Sequence, residues 1–346
     1  GKDGIDIYNH VIPFKPGWVP ILPGGTNTIV SEDKLSLLAG VDGCIEYKYK
    51  NININEVFIV HGDVDSASGN ISANGSVIVQ GDVREGFFVK SEKDISIHGM
   101  AEGATIEAKG TISISNGMNG MGKGMLKAGG NIVGKYFENT ILITDNDIYA
   151  DVLMNARAKV GGSIILKGRK ASLIGGTYEV GKRIYAKNIG TAGNTPTRVS
   201  IDSPALTSML SVDQDSESMD ELNSRLAEAQ KEFDDYQQKF SDLTKQIWSA
   251  GQKNTEQGNR MIKAGILKKG RLNEVINQIK KQISKAQEES ASLMDFNITG
   301  IGIVYPGTKI TIGPFTMNVQ NENSNMKFYP NQEHIVTGPI LPSDVI

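Results

Sequence analysis

His61, Gln80 and His98 each stand immediately before a glycine, at Gly62, Gly81 and Gly99. Imidazole and carboxamide groups at equivalent places in successive repeats could ligate a metal or hold a polar ligand. If the repeats stack as strands, neighbours in this set lie about 4.8 Å apart and the two histidines about 9.6 Å apart. That is too far for one ion to take both easily. The trio therefore reads as a polar surface ladder, and no metal or cofactor is assigned. Asp63 and Asp82 follow the same glycines, while Asp65, Arg84 and Glu102 form a column of alternating sign. Facing carboxylates can divide acid and base roles. These ones follow corner glycines, where Asp commonly caps backbone N–H groups, so no catalytic residue is assigned.

Three other features bear on chemistry. Gly117-Met118-Asn119-Gly120-Met121-Gly122-Lys123-Gly124-Met125 lacks the Lys-Ser/Thr ending of a nucleotide-binding loop. It reads as a bulged loop between repeats. The single cysteine, Cys44, excludes an intrachain disulfide, suits a reducing compartment and reads as a small buried hydrophobe. Arg260, Lys263, Lys268, Lys269 and Arg271 cluster at a hairpin tip and in the helix after it, with Trp248 near the same end. That cluster is a candidate docking site for a partner protein, or for an anionic membrane surface.

The elements that hold these residues announce themselves by period. Segments such as 57–65, 76–84, 94–102 and 111–119 recur with solenoid spacing, and Ile59, Ile78, Ile97, Ile114, Ile132, Ile148, Ile165 and Ile184 recur with them. Asn74-Gly75, Gly129-Gly130 and Gly161-Gly162 supply corners. Each repeat offers one clear strand and a second extended piece, for example Ala104-Thr105-Ile106. Residues 57–202 are thus expected to form a parallel β-helix, and 1–56 a β-rich N-terminal cap.

The period then changes. Over 203–296, Leu226, Ala229, Phe233, Tyr236, Phe240, Leu243 and Ile247 step by three and four, as do Leu272, Ile276, Ile279, Ile283, Ala286, Ser290 and Leu293. The glycine-spaced stretch from Gly251 to Gly270 separates the two series. Residues 212–247 carry ten acids and four bases, whereas 258–290 carry eight bases and three acids. Opposite charge selects the pairing while the apolar seam stabilises it. The segment reads as an antiparallel coiled-coil hairpin. Residues 297–346 return to coil-like strands and a C-terminal cap, with Met326-Lys327-Phe328-Tyr329 as a covering strand.

A net charge of −3 argues against a nucleic-acid partner. The chain resembles the flagellar assembly protein A (FapA) family in Gly1-Lys2-Asp3-Gly4, in Gly62-Asp63-Val64-Asp65-Ser66-Ala67-Ser68-Gly69-Asn70-Ile71, in Gly86-Phe87-Phe88-Val89, and in Val304-Tyr305-Pro306-Gly307 through Ile310-Thr311-Ile312-Gly313. The resemblance implies a right-handed parallel β-helix, a cytoplasmic bacterial setting and a non-enzymatic role in flagellar placement or assembly, with protein partners. Members usually carry another domain upstream. Three alternatives compete. A left-handed acyltransferase helix requires hexads that fail here, and a carbohydrate-active β-helix requires aromatic platforms that a 6% aromatic content does not supply. The third is a self-associating, cytoskeletal type of β-helix or homo-oligomer, built by stacking open ends.

Overall fold

The computed structural model describes residues 1–18, 20–210, 219–249, 255–331 and 333–345. The chain forms two compact units, Gly1–Val160 with Lys167–Arg169, and Gly161–Leu166 with Lys170–Ile346. Both are mostly β, and together they carry a solenoid of about eight turns with a helical segment inserted in its later part.

One turn of the first unit shows how residue type sets the coil. In the strand Ile112–Asn119, Ile112 and Ile114 point inward and are fully buried while Ser113 faces out. A shift in register between Ile114 and Gly117 re-aims the chain and turns Met118 inward. The strand Met125–Ala128 follows and buries Leu126. Each coil therefore has three short faces, not the two read from the sequence. The third is brief and shares a strand with the first in several turns.

Stacking is parallel and in register. Val77, Ile95, Ile112, Ile132 and Ile148 form one inner column. Ala101, Met118, Phe137 and Leu153 form a second. Ile71, Val89, Ile106, Leu126, Leu142 and Ala158 form a third. The isoleucine series read from the sequence mixes inner columns with an outer one: Ile132 and Ile148 stand in the first column, while Ile97 and Ile114 stack with Val79 in a further inner one. Ile59 and Ile78 pair with each other, and Ile78 pairs on with Ser96, so both belong to the outward column. Ile165 pairs with Tyr185, and it is Ile164 that pairs with Ile184. The cause is variable turn length: a change of one residue moves a side chain to the opposite face.

Residues 1–56 contain three two-stranded antiparallel ladders, Gly4–Ile5 with Val11–Ile12, Thr28–Val30 with Leu37–Ala39, and Cys44–Lys48 with Asn51–Asn55. Most of their apolar side chains are exposed, and Ile54 is the buried exception. Cys44 is half-buried.

In the second unit, Ile184 pairs with Ile164 and Ile298, and Val199 with Tyr178 and Ile310. The helical insertion leaves after the strand Thr197–Ile201. The Ser203 hydroxyl accepts from the Leu206 N–H at 3.2 Å and starts helix α1, Pro204–Leu210. Helices α2, Met219–Ser249, and α3, Glu256–Leu293, follow. The chain re-enters at Asn297–Val304, which lies parallel on Arg183–Ala186 and Asn188–Ile189 as the next coil. Asn297 ties the joint together: its amide donates to the Met294 carbonyl at the end of α3, and its side-chain oxygen accepts from the buried Thr299 hydroxyl.

Antiparallel strands end the parallel stack. Phe315–Asn318 folds back on Thr308–Ile312, Asn323–Pro330 on Asn297–Val304, and Ile335–Pro339 on Asn323–Pro330. The expected covering strand is thus present, and Phe328 is fully buried in it. Its neighbour Lys327 is also buried and bonds Asp344 at 2.7 Å. Burial alone raises the Asp344 pKa, but the Lys327 bond, the Leu341 N–H and the charges of Lys327 and Arg183 outweigh it and hold the carboxyl below its usual range. A depressed folded-state pKa stabilises above the unfolded value of about 4 and is lost as pH falls through the folded value. Asp344→Asn should therefore cost about 3 kcal/mol at neutral pH, because it strands a buried ammonium. The variant should also show a flatter loss of stability than the parent below about pH 4. Denaturant titrations at the two pH values read both effects.

Candidate functional site

The corner residues form a structural ladder. The Asp63 Oδ1 accepts the Asp82 N–H at 2.8 Å, and the Asp82 Oδ1 accepts the Met100 N–H at 2.8 Å. A second corner repeats the device: Asp94 takes the Thr111 N–H, Thr111 the Asn131 N–H, and Asn131 the Asp147 N–H. Each carboxylate lies against the glycine of the next coil. A Cβ on Gly81 would meet Asp63, and one on Gly99 would meet Asp82. The repeated Gly-Asp pair is thus a two-coil clasp: the aspartate caps upward and the next glycine makes room.

Arg84 ties the clasp together. It bonds Asp63 at 2.8 Å, Asp82 at 3.0 Å and Glu102 at 3.3 Å. Parallel bridges Val64–Val83 and Val83–Ala101 set Asp65, Arg84 and Glu102 in one column, as read from the sequence, but the Asp65 carboxylate accepts the Ala67 and Ser68 N–H groups within its own turn. The Asp82 N–H, then Arg84, hold the Asp63 carboxyl below its ordinary pKa. Such a carboxylate stays ionised and occupied, which suits a cap and not an acid–base catalyst.

His61 Nδ1 lies 3.2 Å from the Gln80 Oε1, and strand register sets His98 beside Gln80 on the following coil. All three are exposed. Among the described residues, no three of His, Cys, Asp and Glu stand together in a way that could hold a metal ion. The glycine- and methionine-rich stretch is not one loop. Gly117 to Asn119 lie in a strand, and Met118 is fully buried. Met121 lies in the turn that follows, at φ 49° and half exposed, and Lys123 pairs with Glu85.

The helical arm carries the remaining candidates. Its seam matches the two heptad series, with Ile247, Ile276, Ile279 and Leu293 buried. One expectation changes: Gly258 and Gly265 do not break the arm. Helix α3 begins at Glu256, with Thr255 as its N-cap, and both glycines lie on the seam. Gly265 packs beneath Phe240, whose ring occupies the space a Cβ would need. Tyr236 and Phe240 stack with centroids 6.3 Å apart. Residues 250–254, between α2 and α3, and the acids Asp213, Asp215 and Glu217 lie outside the described residues.

Arg260, Lys263, Lys268, Lys269 and Arg271 consequently stand on consecutive turns of α3 and not on a loop. Arg260 pairs with Glu256 one turn earlier. Lys268 and Lys269 place their ammonium groups 4.8 Å and 5.6 Å from the rings of Tyr236 and Phe233 on α2. Lys263 and Arg271 are exposed, and Trp248 near the end of α2 is 55% exposed. The sequence reading missed Met261, Ile266 and Leu267, which are also exposed. The signal was available: once Gly258, Ile262, Gly265 and Lys269 are placed on the seam, these three fall off it.

Among the described residues, no helix is long and apolar enough to cross a membrane. The family model described as Flagellar Assembly Protein A beta solenoid domain matches residues 56–335. No curated protein and no solved structure matches the chain.

Proposed function

Because this chain belongs to the flagellar assembly protein A β-solenoid family, we propose that it is a non-enzymatic scaffold of flagellar assembly that works by presenting its helical arm to a partner in the cytoplasm. The observation that carries the reading is the way the arm is mounted. The chain leaves the solenoid after Ile201 and re-enters it at Asn297 as the next coil, so parallel pairing anchors both feet of the hairpin. A projecting element fixed at two points transmits position without a chemical step. The capped, ion-paired corner carboxylates agree with this reading, since they are committed to holding coils together.

The test replaces residues 204–294 by a short flexible linker. The coils on either side pair directly, so the β signal in circular dichroism should be retained. In cells lacking the parent protein, the shortened chain should fail to restore flagellar assembly, scored by counting filaments. Full restoration without the arm would sink the proposal.

A further inference from the structure

The first turns of α3 carry more positive charge than pairing with α2 uses. From 257 to 273 there are five bases and no acid; Lys268 and Lys269 lie over α2 rings, which leaves Arg260, Lys263 and Arg271 on the outer face. Ile266 and Leu267 are 59% and 58% exposed within that run. At 100° per residue, Lys263 and Gly270 lie between Ile266 and Leu267, and Arg260 and Arg271 border Leu267 on its far side. Among the described residues, neither Lys263 nor Arg271 has an acidic partner. Helix α2 has the opposite balance, with seven acids and four bases from Met219 to Ser249.

We infer that this face of α3 docks on an anionic lipid surface, with the bases at the headgroups and Ile266 and Leu267 reaching the acyl boundary. The inference rests on the reading of the arm as the docking element and names what it docks to. Three physical points favour lipid over an acidic protein. Glu256 and Glu274 lie on this same face and bound it, Glu256 pairing with Arg260; between them the charge has one sign, which matches a surface with many identical anions. The apolar side chains project outward instead of lining a groove, so they suit a surface that yields to them. Arg and Lys stems can lie along the interface while their heads stay hydrated. The acidity of α2 sets the orientation, because the same surface repels it.

The full chain is sedimented with vesicles of phosphatidylcholine, with and without phosphatidylglycerol, at low and high salt. Partitioning should be at least about tenfold stronger onto the anionic vesicles and should fall with salt. Reversing three charges, Arg260→Glu, Lys263→Glu and Arg271→Glu, should reduce it to the phosphatidylcholine level. Leu267→Ser should weaken it at unchanged charge. Reversing Lys34, Lys48 and Lys50, an equal change in net charge, should leave it intact. Equal partitioning onto both vesicles, or undiminished partitioning of the α3 triple variant, overturns the inference. If vesicles are not bound while the arm deletion still abolishes flagellar assembly, the scaffold stands and the lipid assignment alone falls. An acidic protein crosslinked at Lys263 without vesicle binding likewise overturns the lipid assignment and leaves the scaffold in place.

Discussion

Phe137→Ala should destabilise the chain by about 3–5 kcal/mol, read as a shift in the denaturant midpoint. Phe137 is fully buried and stands in the inner column between Met118 and Leu153, both also fully buried. Its ring also covers Gly134, which has no side chain of its own to fill the space: a Cβ there would come within 2.7 Å of the ring. Truncation therefore opens a void bounded by backbone on the strand side and by neighbouring coils above and below. A solenoid cannot close such a void by sliding one element, because every strand is hydrogen-bonded into its neighbours. Phe137→Leu should recover most of the loss, since it keeps much of the volume. A loss below about 1 kcal/mol for the alanine variant would show that the column is not continuous at this coil.

Gly117→Ala should cost about as much, by a different route. Gly117 has φ 98°, a conformation that a side chain disfavours. A Cβ there would also collide with the carbonyl oxygen of Tyr136 on the next coil, which is backbone and cannot rotate away. Strain and overpacking together predict a loss of about 3–5 kcal/mol. The bulge at Gly117 is what turns Met118 inward, so relief by straightening the strand would expose Met118. Amide exchange should therefore quicken in Ile112–Asn119 and in the paired strand Ile132–Glu138, and not across the whole chain. Gly122→Ala provides the control. It too has positive φ, but open space surrounds it, so its cost should be smaller.

The glycines mark how far local sequence information reaches. Gly81, beside Asp82, and Gly99, at the equivalent place in the next repeat, were legible as corners. Their second duty was not legible: each leaves room for the aspartate of the preceding coil. Gly265 was read as a break because glycine disfavours helix, yet it sits where Phe240 crosses α3. In each case the missing information was the identity of the neighbour, which belongs to another stretch of chain.

By itself, the amino-acid sequence determined the repeat, the change of period at Ser203, the opposite charge of the two arm helices and the strands that receive the returning chain. These follow from spacings within a short window, where the geometry of a strand or helix dictates which positions share a face. Only the tertiary structure decided which isoleucines are core, that each coil has three faces, that Arg84 joins Asp63 and Asp82 to Glu102, and that the basic run of α3 lies beside two exposed apolar side chains. Those depend on the length of each turn. One residue more or less reverses the face that a whole strand presents, and no local window records that count.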